Sequence, residues 1–188
     1  EPGLNGRSLS YPRGKLLGGC SSVNGMIYMR GQAADYDGWR QMGNVGWGWD
    51  DVLPYFLKSE DHHDEAKPLH SSGGEWKVSR QRLRWDVLEA VQEGAKEFGI
   101  EPTSDFNSGT NEGSGFFEVN QKNGVRWNTS KAFLRPVMQR KNLKVMTQSH
   151  TRRVILDGKR ATGVEFEHNG RVVKATAAAE VILAAGAI

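Results

Sequence analysis

Apolar residues recur at 85, 87, 88, 91, 95 and 98, a helical spacing that Gly99 closes, so this stretch predicts an amphipathic helix. Val52, Leu53, Tyr55, Phe56 and Leu57 predict a shorter helix capped by Asp50 or Asp51. Trp39, Trp47 and Trp49 precede or open it among glycines, which reads as packed turns. "TSKAFLRPVMQRK" predicts a helix capped by Thr129 or Ser130 and kinked or cut short at Pro136. "SSVNGMIYMRG" predicts a helix from Ser21 or Ser22 to Gly31, although Gly25 inside it costs roughly 1 kcal/mol of propensity.

Elsewhere the pattern alternates. "GEWKVSR" predicts a strand, and "GFFEVNQKNGVRWN" predicts a hairpin with Asn123-Gly124 at its tip. Residues 4–12 predict a second hairpin around Asn5-Gly6, and the polar stretch 61–74 predicts a loop. The tail holds five strand-like runs, "NLKVMT", "RRVILD", "ATGVEFE", "RVVKATA" and "EVILAA". Asp157-Gly158 and Asn169-Gly170 punctuate them as turns, giving a β-meander followed by an apolar strand. Helices and strands together place the chain in the α+β or α/β class.

Composition changes this picture little. The 188 residues amount to one domain or parts of two, with 37% hydrophobic and 25% charged residues. A net charge of +3 is too mild to argue for nucleic acid, and the basic run "RQRLRW" at 80–85 reads as a solvated face. Cys20 is the only cysteine, so no intrachain disulfide forms, which suits a reducing compartment such as the cytoplasm. No apolar run reaches the ~18 residues of a membrane span, and peripheral membrane association stays open. The opening "EPGLNGRSLSYPRG" and the closing "EVILAAGAI" both read like sequence internal to a longer protein.

Four features could carry chemistry. Gly18 and Gly19 remove two β-carbons, so a flat ligand or another backbone could lie there, with the N-terminal end of the following helix favouring an anionic group. Asn24 adds a donor and an acceptor. A plain glycine turn leading into a buried helix explains the same residues. The run Asp61-His62-His63-Asp64-Glu65, with His70 nearby, offers metal-ligand types, but adjacent histidines diverge on a helix or a strand, so it reads as a solvated loop. Cys20 reads as a small packing residue, and no G-x-S-x-G occurs. "NTS" at 128–130 fits a glycosylation acceptor, and no G-x-G-x-x-G follows a strand, so the chain contributes at most part of a dinucleotide site.

"RGKLLGGCSSVNGMIYMRGQAADYD" resembles the first signature of the glucose–methanol–choline (GMC) oxidoreductases. The match runs through Gly14-Lys15, Gly18-Gly19, Ser21, Val23-Asn24, Tyr28, Gly31 and Asp37. The closing "GAI" resembles the start of the family's second signature. "GFFEVNQKNGVRWNTSKAFL" and "RRVILDGKRATGVEF" are similar to choline-dehydrogenase-like and aliphatic-alcohol-dehydrogenase-like members.

The resemblance implies an FAD-dependent enzyme with a Rossmann-like FAD-binding domain and an antiparallel-sheet substrate domain. It implies oxidation of an alcohol by hydride transfer to flavin N5, with no catalytic residue within these 188. Gly14, Leu17 and Gly19 would line the FAD channel. Asn24, Gly25, Met26 and Ile27 would run along the isoalloxazine, and the Val154 backbone would meet the adenine end. Val23 stands where some members carry the histidine bonded to FAD, which implies non-covalent FAD. Residues 1–45 and 141–188 would belong to the FAD-binding domain and 46–140 mainly to the substrate domain. The implied partner is a small-molecule alcohol, with the electron acceptor open, no nucleic acid, no metal and no integral membrane segment. A self-contained α+β binding module without catalysis is the competing reading.

Overall fold

The computed structural model describes residues 2–64 and 67–186. Glu65 of the acidic–histidine run and Ala187 and Ile188 of the closing "GAI" lie outside the described residues. The chain forms two compact units that divide between Val137 and Met138.

The first unit is built on three helices, α1 (Ala33–Gln41), α2 (Trp49–Ser59) and α3 (Asp86–Glu97). Both ends of α3 and the apolar body of α2 stand where the periodicity puts them. The cap of α2 differs in detail: Gly48 occupies the N-cap, and Asp51 accepts its N–H at 3.0 Å. Between α1 and α2 the tryptophans pack around Tyr36, with ring centroids 5.3 Å from Trp39 and 5.7 Å from Trp49.

Three strands form a mixed sheet in the order β1 (Glu60–His62), β2 (Trp76–Arg80), β3 (Glu118–Val119). β1 runs parallel to β2, and β3 antiparallel to it. The stretch 61–74 is therefore not a plain solvated loop. His62 pairs in register with Val78, and both Glu60 and His62 are buried. The hairpin β4 (Gln121–Lys122) and β5 (Val125–Arg126) turns on Asn123 and Gly124, both at positive φ, as its Asn-Gly tip requires.

Three other expectations need correction. Asn5 and Gly6 make their turn, closed by Arg7 N–H to the Leu4 carbonyl at 3.2 Å, but no strands flank it. The helix at 129–141 is one irregular turn, Ser130–Leu134, followed by a 3₁₀ turn, Arg135–Val137. Thr129 stands at its N-cap, as expected, but makes no side-chain cap bond, and Asn128 Oδ1 accepts the Lys131 N–H at 2.9 Å instead. The Asn128 amide also donates to Ser22 Oγ at 2.8 Å, so it is engaged in the fold rather than presented as a glycosylation acceptor.

The second unit is an antiparallel meander, β6 (Ser149–Asp157), β7 (Arg160–His168) and β8 (Arg171–Thr176). The turns fall at the expected Asp-Gly and Asn-Gly pairs. The outer runs 142–147 and 180–185 are not strands. A strand needs a ladder for its N–H and C=O groups, and neither run has one among the described residues. Among the described residues no helix is long and apolar enough to cross a membrane.

Candidate functional site

The expected helix from Ser21 to Gly31 does not form. A single 3₁₀ turn, Gly19–Ser22, follows Gly18, and the chain then leaves helical geometry. With it goes the expectation that a helix N-terminus points at a ligand. Asn24 Oδ1 accepts the Met26 N–H at 3.0 Å, and Met26 sits at φ 65°. This local bond replaces the helical ladder, as asparagine side chains commonly do. Beyond it the segment docks on β3: Met26 O accepts Asn120 N–H and Glu118 O accepts Tyr28 N–H, both at 2.8 Å. Between those bonds, Ile27 faces Val119 as a pair whose own N–H and C=O point out of the ladder.

Two glycines make the turn possible by close approach. A β-carbon on Gly14 would stand 2.2 Å from the Gly19 carbonyl oxygen, and one on Gly18 would stand 2.5 Å from Ser22 Oγ. Gly25 differs, because a β-carbon there would meet nothing within 4 Å. Cys20 does not pack: it is exposed, with its sulfur 3.5 Å from Gly14 N.

The turn is held from behind by the stretch 126–129. Arg126 Nη1 donates to Asn24 Oδ1 at 2.9 Å and to Ser21 O at 3.2 Å. Thr129 N–H donates to Ser21 Oγ at 3.0 Å. Leu17, Val23 and Ile27 are 41%, 54% and 50% exposed. Gly25 is open, the Ile27 backbone groups point out of their ladder, and Asn24 Nδ2 donates to nothing among the described residues. An apolar surface with a few fixed polar groups fits a flat, largely apolar ring with a hydrogen-bonding edge. Gly14, Leu17, Gly19, Asn24, Gly25, Met26 and Ile27 thus share one segment. Val154 belongs to β6 of the second unit, paired with Val164.

A buried polar network anchors the far end of this segment, and local sequence pattern gives no sign of it. Arg30 is 5% exposed and Glu60 0%, and Arg30 Nη2 meets Glu60 Oε1 at 2.7 Å. Arg30 Nη1 also donates to Leu69 O at 2.7 Å, and the Arg30 backbone N–H donates to Asn107 Oδ1 at 2.8 Å. His70 places Nδ1 3.1 Å from Glu60 and Nε2 2.9 Å from Asp105. Burial alone would raise the Glu60 carboxyl, but the His70 bond, the Ser71 N–H and the Arg30 charge outweigh it and hold it below its usual range. Burial would lower His70, yet Glu60 and Asp105 together hold it above its usual value. Burial, with Glu60 adding and Arg30 opposing, pushes the Tyr28 hydroxyl up to about 12.

Adjacent histidines do converge here. His62 and His63 place Nε2 2.9 Å and 2.6 Å from the same Glu118 oxygen, with their rings stacked at 4.3 Å. This happens because His62 ends β1, and His63, just past the strand, escapes its alternation. The three donor atoms lie within 4.8 Å of one another, close enough for one ion. Protonation argues for a hydrogen-bonded clamp instead. The Asp64 N–H donates to His62 Nδ1 at 3.2 Å, which leaves the ring proton on Nε2, the atom an ion would need. Burial would raise Glu118, but bonds from both histidines hold it below its usual range.

Comparison with known proteins agrees with the geometry. The GMC oxidoreductase family model matches residues 2–188, and the chain belongs to that family. It is 40% identical over 185 residues to an oxygen-dependent choline dehydrogenase of Sinorhizobium fredii, covering 98% of this chain and 34% of that protein. It is 41% identical over 188 residues to the oxygen-dependent choline dehydrogenase of Brucella ovis, again 34% of the relative. The chain therefore spans about a third of these relatives' length. Among solved structures, pyridoxine 4-oxidase from Mesorbium loti superposes with a TM-score of 0.85 at 30% identity, over 93% of this chain and 35% of that one. An FAD-dependent oxidoreductase from Chaetomium thermophilum gives 0.83 at 25% identity, over 94% and 33%.

Proposed function

We propose that this chain supplies the flavin-facing segment and part of the substrate domain of an FAD-dependent alcohol oxidoreductase. The observation that supports this reading is the exposure of Leu17, Val23 and Ile27 beside open Gly25 and an Asn24 Nδ2 with no partner among the described residues, in the stretch that family resemblance assigns to the cofactor. The chemistry that FAD supplies when bound is acceptance of a hydride at N5, which turns a primary alcohol into an aldehyde. This chain's own residues do the holding. Gly14 and Gly18 let the turn close, Gly25 leaves room for the ring, and Asn24 and the Ile27 backbone offer hydrogen bonds along its edge. Leu17, Val23 and Ile27 exclude water from it. Residues 1–45 and 141–188 then belong with the FAD-binding domain and 46–140 mainly with the substrate domain.

Val23 has no nucleophilic atom, so at this position FAD is held without a covalent bond. Acid precipitation of the intact protein tests this. The yellow chromophore is expected in the supernatant with the spectrum of free FAD. Colour that stays with the precipitate contradicts non-covalent binding.

A further inference from the structure

Asn24 can present either its oxygen or its N–H₂ to a ligand, and the two choices have opposite electrostatic consequences. The neighbours decide between them. Oδ1 faces two donors, Met26 N–H at 3.0 Å and Arg126 Nη1 at 2.9 Å. A guanidinium has no acceptor, and a backbone N–H has none either. Turning the amide over would set its N–H₂ against both. Arg126 is itself fixed. It lies in β5 opposite Gln121, its second contact is Ser21 O at 3.2 Å, and Lys131 Nζ donates to its carbonyl at 2.7 Å. No carboxylate pairs with it among the described residues.

We propose that Arg126 is a positioning residue that locks the Asn24 amide with its N–H₂ toward the flavin edge. This rests on the reading that residues 24–27 face the flavin. The bond from Arg126 also draws electron density from the amide oxygen, which makes the N–H₂ a stronger donor. A donor held at the ring edge favours the reduced cofactor, which carries more electron density than the oxidised one. Arg126 thereby acts on the flavin through Asn24.

The test is the flavin reduction potential of the intact, FAD-loaded protein, with Asn24→Leu, Arg126→Met and the double variant. Both single variants are expected to lower the potential, and the double variant to lie no lower than Asn24→Leu alone. If Asn24→Leu leaves potential and visible spectrum unchanged, the flavin-facing reading itself fails. If Asn24→Leu lowers the potential and Arg126→Met does not, the positioning role is overturned while that reading stands. Fully additive shifts would mean that Arg126 acts on the ring by its own charge, which also overturns the proposal. Arg126→Lys, which keeps a donor, covers the case in which Arg126→Met fails to hold FAD. A Lys variant that retains FAD at a potential above that of Asn24→Leu supports the lock. Loss of FAD from both variants marks a merely structural role and overturns it.

Discussion

Arg30→Met is expected to destabilise the protein by about 3–5 kcal/mol, the usual cost of stranding one partner of a buried ion pair. The Arg30 and Glu60 side chains are 2% and 0% exposed, so the carboxylate left behind has no water to turn to. Denaturant unfolding of the intact protein reads the loss. Arg30→Met combined with Glu60→Met should recover part of it, because no charge is then left unpaired. A single variant as stable as the native protein would show that His70 and the Ser71 N–H alone satisfy Glu60.

The same network sets a pH window. Glu60 is held below its ordinary 4.5, so its contribution is complete above that value and is lost as pH falls through the lower folded one. His70 is held above 6.5, so its contribution is complete below that value and fades as pH rises through the higher folded one. Arg30→Met removes a cation that lowers Glu60, so its acid limb should move to higher pH.

Gly14→Ala is expected to cost about 1–3 kcal/mol, as overpacking does, and to empty the flavin site. The new methyl would meet the Gly19 carbonyl, which is backbone and cannot swing aside. Gly25→Ala should behave oppositely. Its methyl meets nothing in the protein, so stability should change by no more than about 0.5 kcal/mol. FAD affinity should nevertheless fall, because the methyl enters the space assigned to the ring. Unfolding and FAD titration of both variants separate the two effects. Equal FAD affinity in Gly25→Ala and native protein would remove the ring from that face.

Local pattern carried the elements whose contacts are local. The helix at Asp86–Glu97 follows from its own spacing, and the turns at 123–124, 157–158 and 169–170 from their Asn-Gly and Asp-Gly pairs. It misled at Ser21–Gly31, where serines that look like helix caps hydrogen-bond instead to Gly18, Leu17 and the 128–129 stretch. Whether that segment coils or docks depends on β3, about ninety residues later, and no window around Asn24 reveals it. Separations of 30 and 102 residues likewise hide Arg30 from Glu60 and Arg126 from Asn24. The acidic–histidine run reads as solvated from its polarity and from the divergence of adjacent histidines, whereas parallel pairing of Asp61 and His62 with β2 buries His62. The segment 13–37 is legible for another reason: its long run of residue types resembles a family signature, although its conformation is not legible there.

The most direct measurement is anaerobic titration of the intact protein with primary alcohols while the flavin band near the visible edge is recorded. Choline and pyridoxine, taken from the names of the relatives, are the first to add. Bleaching of the band by an alcohol, with the matching aldehyde formed in equal amount, is the expected result. A protein that holds FAD whose band no alcohol bleaches would contradict an alcohol oxidoreductase.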